Sequence, residues 1–153
     1  MIKLNKENIL GIDVNVTTYE DLKLSLINDI ENNKKSFIVA INPEKILKSR
    51  EDKDLKELLN KATYQIPDGV GVIYASKLKK GNIKSRITGI DCMDMLCNLA
   101  DEKKYKVFLY GAKKEVISKA KEKLTEKYKN IQIVGTIDGY EKDNDKIIKE
   151  INN

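Results

Sequence analysis

The feature that most constrains the fold is the alternation of short, almost unbroken apolar runs with longer segments of helical periodicity. Two of these runs, Ser36–Asn42 and Lys106–Ala112, have the pattern of strands that are covered on both faces, which is typical of parallel sheets. Between them, apolar residues recur at intervals of three and four, as on one face of a helix. The alternation predicts an α/β fold, a Rossmann-like and mostly parallel sheet with helices on both faces.

The other predicted elements support the same alternation. Thr18 and Asp21 resemble a capping box in front of a helical stripe. In chain order we expect a short apolar start around Ile9–Ile12, the helix after Thr18, two short helical pieces within Glu44–Ala62, a brief strand at Tyr64–Pro67, a helix that Gly81 ends, a helix from about Ile90, a helix after Gly111, a strand at Ile131–Gly135 and a last helix over Asp145–Asn153.

A chain of 153 residues is long enough to bury a core, and we expect a single domain over residues 1–153. No apolar run approaches the roughly 20 residues that span a bilayer, and the N-terminus lacks the apolar core of a signal peptide. These features predict a cytosolic chain.

The net charge of +5 is spread along the chain and comes almost entirely from lysine. Lysines gather at 77, 79, 80 and 84, but without the interleaved aromatic residues that stack on bases. We therefore expect no nucleic-acid partner, and the cluster favours attraction to anionic lipid or phosphate.

The sequence contains no histidine, which excludes Ser-His and Cys-His nucleophilic machinery and every zinc site that contains histidine. Cys92 and Cys97 lie five apart in a predicted helix, about 140° from each other around its axis. This spacing is neither a redox pair nor a metal site, so we expect two small buried hydrophobic residues.

Candidate functional residues follow the predicted strands, because ligands of open α/β sheets bind beyond the carboxyl ends of the strands. We expect the four stretches that qualify to converge on one cleft: Ala40–Pro43, Ile66–Gly69, Arg86–Asp91 and Tyr110–Lys113.

Asp68 is the strongest candidate for a catalytic residue, and two roles are open to it. It could cap the following helix, or it could serve as a general base for a bound hydroxyl. Gly69 and Gly71 favour the second role, because a helix start without side chains lets a ligand approach backbone N–H groups and the positive end of the helix dipole.

The neighbouring candidates also have two interpretations each. Arg86 could grip a diphosphate with its planar guanidinium or form an ordinary surface ion pair. Asn42 could contact a ligand or end its strand in a turn. Thr88 and Asp91 could hydrogen-bond a sugar or nucleotide, or cap the helix that follows. Gly111, between a strand and a helix, is a weak phosphate-site signal that lacks the dinucleotide and P-loop fingerprints.

Together these stretches resemble the WecG/TagA/CpsF glycosyltransferases of bacteria. The resemblance runs from about Asn42 to the end of the chain and rests on six motifs in matching order and spacing: NPE at 42–44, IPDGVGV at 66–72, a helix ending in Gly81, RITGIDCMDML at 86–96, VFLYGAKKEV at 107–116 and IVGTIDGY at 133–140.

The resemblance implies inverting transfer of a sugar from its UDP donor to a polyprenyl-diphosphate-linked N-acetylglucosamine, peripherally at the inner face of the cell membrane and without a required metal or other cofactor. In the TagA branch the sugar is N-acetylmannosamine and the product serves wall teichoic acid synthesis. Carried over by position, Asp68 is the catalytic base and Asn42 contacts the donor sugar, while Arg86, Thr88, Gly89 and Asp91 line the donor site. Gly69 and Gly71 would then make room for substrate beside the base.

Two departures from the family pattern qualify this expectation. Ala40 stands where the family often has threonine. The family also continues with a strand, a glycine-rich turn, a Pro-Lys-Gln-Glu type motif and a basic appendage that docks on the membrane, so we expect a core domain that lacks this C-terminal portion. Such a core could self-associate through exposed apolar surface, or act as a non-catalytic nucleotide-sugar or phosphate-binding module or as an incomplete subunit.

Overall fold

The computed structural model describes residues 4–152, which form six strands and seven helices. Strands and helices alternate along most of the chain, which confirms the predicted α/β class. In chain order they are β1 (Lys6–Ile9), β2 (Ile12–Asn15), α1 (Tyr19–Glu31), β3 (Ile38–Ile41), α2 (Pro43–Lys48), α3 (Lys53–Lys61), β4 (Tyr64–Pro67), α4 (Val70–Leu78), α5 (Gly89–Lys103), β5 (Lys106–Tyr110), α6 (Lys114–Lys127), β6 (Gln132–Ile137) and α7 (Asn144–Asn152).

The chain divides into two compact units, Met1–Met93 and Asp94–Asn153, with the boundary inside α5. Each unit is described by itself below, and the single-domain interpretation stays a prediction. The predicted last helix is α7, and Asn153, which that prediction included, lies outside the described residues. No helix within residues 4–152 is long and apolar enough to cross a membrane.

The first unit is built around the parallel pair β3–β4, in which Ile38 pairs with Tyr64 and Ile41 with Pro67. The predicted apolar start is an antiparallel hairpin, β1–β2, whose two turn residues Leu10 and Gly11 both have positive φ. That geometry is the tight turn that matches the twist of two paired strands. The hairpin, β3 and the helices that follow it share one apolar core, formed by Ile9, Ile12, Val14, Ile41, Ile46, Leu59, Val72 and Ile83.

Helix α4 packs against the start of α2 through a glycine. A Cβ at Gly71 would lie 2.6 Å from Cγ of Pro43, so the helix can approach this closely only without a side chain there. The helix ends at Leu78, and Lys80, rather than Gly81, adopts the left-handed conformation with φ of 57°. Gly81 instead donates its N–H to the Ser76 carbonyl, at 2.8 Å.

A buried polar group ties α1 to β4. The carboxylate of Asp29 accepts hydrogen bonds from the hydroxyls of Ser36 and Tyr64, both at 2.7 Å, and Lys34 lies 3.8 Å away. Burial alone would raise the pKa of Asp29, but the hydrogen bonds from Ser36 and Tyr64 hold it below its ordinary value. Burial together with the Asp29 charge raises the pKa of Tyr64 to about 12.

The second unit contains the parallel pair β5–β6 with α6 and α7. The register shifts between Val107 and Phe108, where Phe108 pairs with Gly135 and its ring occupies the space that a side chain at 135 would need. Cys97 of this unit and Cys92 of the first are free and buried, as predicted, and burial raises the pKa of both thiols.

Replacing Gly71 by alanine should destabilise the fold by about 1–3 kcal/mol, because the new methyl group meets the Pro43 ring. In a Pro43→Ala background the same substitution should be neutral or stabilising by up to about 1 kcal/mol, because alanine favours a helix once the ring is gone. Urea denaturation of the wild type, the two single variants and the double variant measures both effects. An equal cost of Gly71→Ala in both backgrounds would contradict the packing explanation.

The Tyr64→Phe variant should be about 1–3 kcal/mol less stable than the wild type at pH 7, because buried Asp29 loses a donor. The pKa of Tyr64 is higher in the folded than in the unfolded chain, so its stabilising contribution is complete below pH 10 and is lost as pH rises towards 12. The difference in the free energy of unfolding between the wild type and Tyr64→Phe should therefore decrease by about 2 kcal/mol between pH 10 and 12. Urea denaturation from pH 8 to 12 measures it, with exposed Tyr140→Phe as the control, and a constant difference would refute the account.

Candidate functional site

The site of the first unit lies at the carboxyl ends of β3 and β4. Ile41 and Pro67 are the last paired residues, so Asn42 and Asp68 leave the two strands side by side. The N–H of Asp68 donates to the Ile41 carbonyl at 2.8 Å, which extends the parallel hydrogen-bonding pattern one residue beyond the strands. The prediction that each of these two residues follows the end of a strand is therefore confirmed, and the structure adds that the two strands are neighbours.

Asp68 does not cap α4, so the capping interpretation of this residue is wrong. Gly69 is the N-cap, with φ of 113°, and no side chain within residues 4–152 accepts a hydrogen bond from the first-turn N–H groups of the helix. Because a left-handed conformation is strained for residues with a Cβ, glycine is the residue that suits this turn. The turn separates the Asp68 carboxylate from the helix and leaves that carboxylate partly exposed.

The carboxylate of Asp68 instead faces the segment before α5. Its Oδ2 accepts a 3.4 Å hydrogen bond from the N–H of Gly89, and its Oδ1 lies 3.7 Å from a guanidinium nitrogen of Arg86. The Asp68 side chain is 24% exposed and that of Arg86 is 52% exposed. Arg86 thus forms an ion pair, as one interpretation predicted, but with the candidate base.

At the start of α5, Thr88 and Asp91 hydrogen-bond to each other. The sequence had allowed either residue to cap this helix or to bind a ligand. The Thr88 hydroxyl accepts from the Asp91 N–H at 3.0 Å and donates to its carboxylate at 2.7 Å. Capping is therefore confirmed for Thr88, whereas the Asp91 carboxylate accepts from hydroxyl groups and from no N–H of the helix within residues 4–152. Asp91 is exposed and Thr88 half-buried.

Tyr19, the first residue of α1, is the residue that sequence reasoning missed. Its hydroxyl accepts the Thr88 N–H at 3.1 Å and donates to Asp91 Oδ2 at 3.2 Å. The tyrosine therefore ties the start of α1 to the start of α5. The helical pattern placed Tyr19 on an apolar stripe, and no local signal predicts a partner about seventy residues away.

Asn42 caps α2, since its Oδ1 accepts the N–H of Lys45 at 2.9 Å. Its turn role is confirmed, and its amide nitrogen has no hydrogen bond to the residues that the structure describes. Lys45 also donates from Nζ to the Ala40 carbonyl at 2.8 Å. The methyl group of Ala40 lies 3.5 Å from where a Cβ of Gly89 would stand, so the side chain at position 40 faces the start of α5.

The two glycines after Asp68 lie close to the ring of Pro43. A Cβ at Gly69 would lie 3.4 Å from the Pro43 ring, and one at Gly71 would collide with it. The expectation that Gly71 makes room for substrate is therefore corrected: protein occupies that space. Gly69 is needed for a different reason, because its positive φ turns the chain between Asp68 and α4.

Gly111 belongs to the second unit and is described there. It has φ of 126°, donates its N–H to the Ile137 carbonyl at 3.0 Å, and has open space where a side chain would stand. Convergence of all four predicted stretches thus stays a prediction, whereas Asp68, Arg86 and Gly89 are in contact. Within residues 4–152, no three acidic or cysteine side chains form a group that could hold a metal ion.

Comparison with known proteins agrees with the sequence resemblance. Residues 7–153 match the Glycosyl transferase WecG/TagA/CpsF family. The chain is 35% identical over 144 residues to the N-acetylglucosaminyldiphosphoundecaprenol N-acetyl-beta-D-mannosaminyltransferase of Bacillus subtilis (strain 168), covering 94% of this chain and 56% of the relative. It is 38% identical over 130 residues to the protein of the same name from Staphylococcus aureus (strain NCTC 8325 / PS 47), covering 82% of this chain and 50% of the relative.

The chain therefore spans about half the length of these relatives. The family match extends over nearly all of its residues, and the motifs at 66–72 and 86–96 within that match supply the contacts around Asp68. The chain belongs to the WecG/TagA/CpsF family of glycosyl transferases.

Proposed function

We propose that this chain is the core of an inverting glycosyltransferase that moves N-acetylmannosamine from UDP-N-acetylmannosamine to N-acetylglucosamine linked to undecaprenyl diphosphate, in the synthesis of wall teichoic acid or a related surface polymer. The names of the relatives support the transferred sugar and the lipid-linked acceptor. We further propose that the reaction needs no metal and that the protein works peripherally at the inner face of the cell membrane.

In the proposed reaction Asp68 is the general base. It takes the proton of the acceptor hydroxyl while that oxygen forms a bond to the anomeric carbon of the donor. The bond between the anomeric carbon and the diphosphate breaks, and UDP leaves with the electron pair. A single displacement of this kind inverts the anomeric centre and requires one carboxylate.

The observation that carries this proposal is the orientation of the Asp68 carboxylate. It is partly exposed, is not consumed by capping α4, and has the guanidinium of Arg86 at 3.7 Å. A positive group beside the base suits a reaction that releases a diphosphate. The uncapped N–H groups at the start of α4 would add to the favourable field for that anion.

The Asp68→Asn substitution tests the base directly. Asparagine keeps the size of the side chain but cannot take a proton, so transfer should fall by about 10²–10⁴-fold while affinity for the UDP-sugar changes little. Calorimetry measures affinity, and a transfer assay on the same chain measures turnover. Asp91→Asn is the matched control, expected to weaken donor binding more than turnover. Near-normal transfer by Asp68→Asn would remove this residue from the base role.

The Tyr19→Phe substitution tests whether the start of α5 belongs to the donor site. Loss of the hydroxyl frees the turn at Thr88 and Asp91, and affinity for the UDP-sugar should fall about 3–10-fold. Calorimetry on this chain measures it, with Tyr105→Phe as the control. A lower melting temperature with unchanged affinity would mean that Tyr19 is structural only.

A non-catalytic nucleotide-sugar-binding module is the second candidate, because Ala40, whose methyl group faces the start of α5, supplies no hydroxyl group to the site. Calorimetry with UDP beside a transfer assay on this same chain separates the two functions. Binding without turnover would favour the module, and robust turnover would exclude it.

A further inference from the structure

We propose that the exposed face of α4 and the lysine-rich segment after it form a docking surface for an anionic lipid bilayer. This surface comprises Val70, Tyr74, Lys77, Leu78, Lys80 and Lys84, and is called the α4 surface below. The inference deepens the proposed function, since it names the part of the chain that would face a membrane-bound acceptor, but it rests on its own observations.

The first observation is an apolar stripe that residues 4–152 leave exposed. Val70, Tyr74 and Leu78 are 60%, 64% and 86% exposed and lie four residues apart, so they form one line along the helix. The opposite side of α4 carries the buried residues Val72 and Ser76. Three large apolar side chains in a row on the outer face of a helix are characteristic of a surface that enters a lipid interface.

The second observation is the charge that borders the stripe. From Gly69 to Ser85 the sequence has four lysines and no acidic residue, although lysines and acids are interspersed elsewhere. Lys79 is engaged, because its Nζ donates to the Asn8 carbonyl at 2.7 Å. The Nζ atoms of the other three, at 77, 80 and 84, have no hydrogen bond or ion pair to any residue within 4–152.

The third observation is that these three lysines line the same groove. The groove has a volume of about 470 Å³ and is lined by Ile73, Lys77, Lys80, Gly81, Ile83 and Lys84. Half-buried Ile73 and buried Ile83 form its floor, and three ammonium groups that line the same groove suit a phosphate headgroup. Charge complementarity therefore favours an anionic bilayer over a protein partner.

The position of α4 connects the surface with the proposed chemistry. The helix begins two residues after Asp68, and its nine residues span about 13 Å. A bilayer against the α4 surface would hold Asp68 near the headgroups, where the sugar of a polyprenyl-linked acceptor is found.

Flotation with lipid vesicles tests the proposal without donor or acceptor. The 153-residue chain should bind vesicles of phosphatidylcholine with about one third phosphatidylglycerol, bind pure phosphatidylcholine weakly, and lose binding as salt screens the lysines. Replacing Lys77, Lys80 and Lys84 together by glutamine should lower the partition coefficient on the order of 100-fold. The double variant Tyr74→Ser and Leu78→Ser should lower the partition coefficient for both kinds of vesicle.

The matched control replaces Lys119, Lys121 and Lys123, exposed on α6, by glutamine and removes the same charge. It should retain most of the binding. Failure of the wild type to bind anionic vesicles, or equal losses in the two triple variants, would overturn the proposal. A dimer in sedimentation velocity that Tyr74→Ser with Leu78→Ser abolishes would assign the surface to a second copy and would also overturn it.

Because vesicle binding requires no turnover, its failure and the failure of the catalytic proposal are separate results. The Asp68→Asn variant should still bind vesicles as the wild type does, and the triple variant at 77, 80 and 84 should still bind UDP. Loss of vesicle binding in Asp68→Asn would show that the two properties are not independent and would contradict the placement of the surface on α4.

Discussion

The hydrogen bond from the Asp68 N–H to the Ile41 carbonyl is the constraint on which the candidate site depends. It extends the β3–β4 pairing one residue past the strands and so fixes where the aspartate backbone lies. Gly69 then turns the chain through a left-handed conformation before α4 begins. Without that turn the carboxylate would be well placed to cap the helix, and the site would lose its one candidate base.

The second side of the site is supplied by the segment from Arg86 to Asp91. The Ile87 N–H donates to the Pro67 carbonyl at 2.8 Å, so this segment is bound to the residue just before Asp68. Tyr19 holds the following turn from the side of α1. The exposed ion pair between Arg86 and Asp68 contributes at most about 1 kcal/mol to stability, so its importance lies in the charge that it places beside the carboxylate.

Much of this arrangement could be predicted from the sequence because its signals are local. The apolar runs identified β3 and β5, the two helical pieces before β4 were expected, and Asn42 and Asp68 were expected at strand ends. Whether Asp68 or Gly69 caps α4 depends on one backbone dihedral angle, which residue patterns do not determine. The contacts of Tyr19 with Thr88 and of Gly71 with Pro43 join distant parts of the chain, so no spacing rule reveals them.

The family resemblance and the structure contribute different things to the account. The resemblance suggested which residues matter, and the structure gives each of Thr88, Asp91 and Asn42 a hydrogen bond that stabilises a helix start. A capping side chain can still contact a ligand with its remaining polar atoms. The amide nitrogen of Asn42, which has no hydrogen bond to residues 4–152, would allow this. In this first unit, the residues that stabilise the helix starts are therefore also the ones that we propose to contact the donor.

The most direct test of the central claim is a crystal structure of the chain soaked with UDP-N-acetylmannosamine. The account predicts that the anomeric carbon lies beside the Asp68 carboxylate, with room between them for an acceptor hydroxyl within about 3 Å of the base. A sugar bound elsewhere on the chain, or bound with Asp68 turned away from its anomeric carbon, would contradict the account.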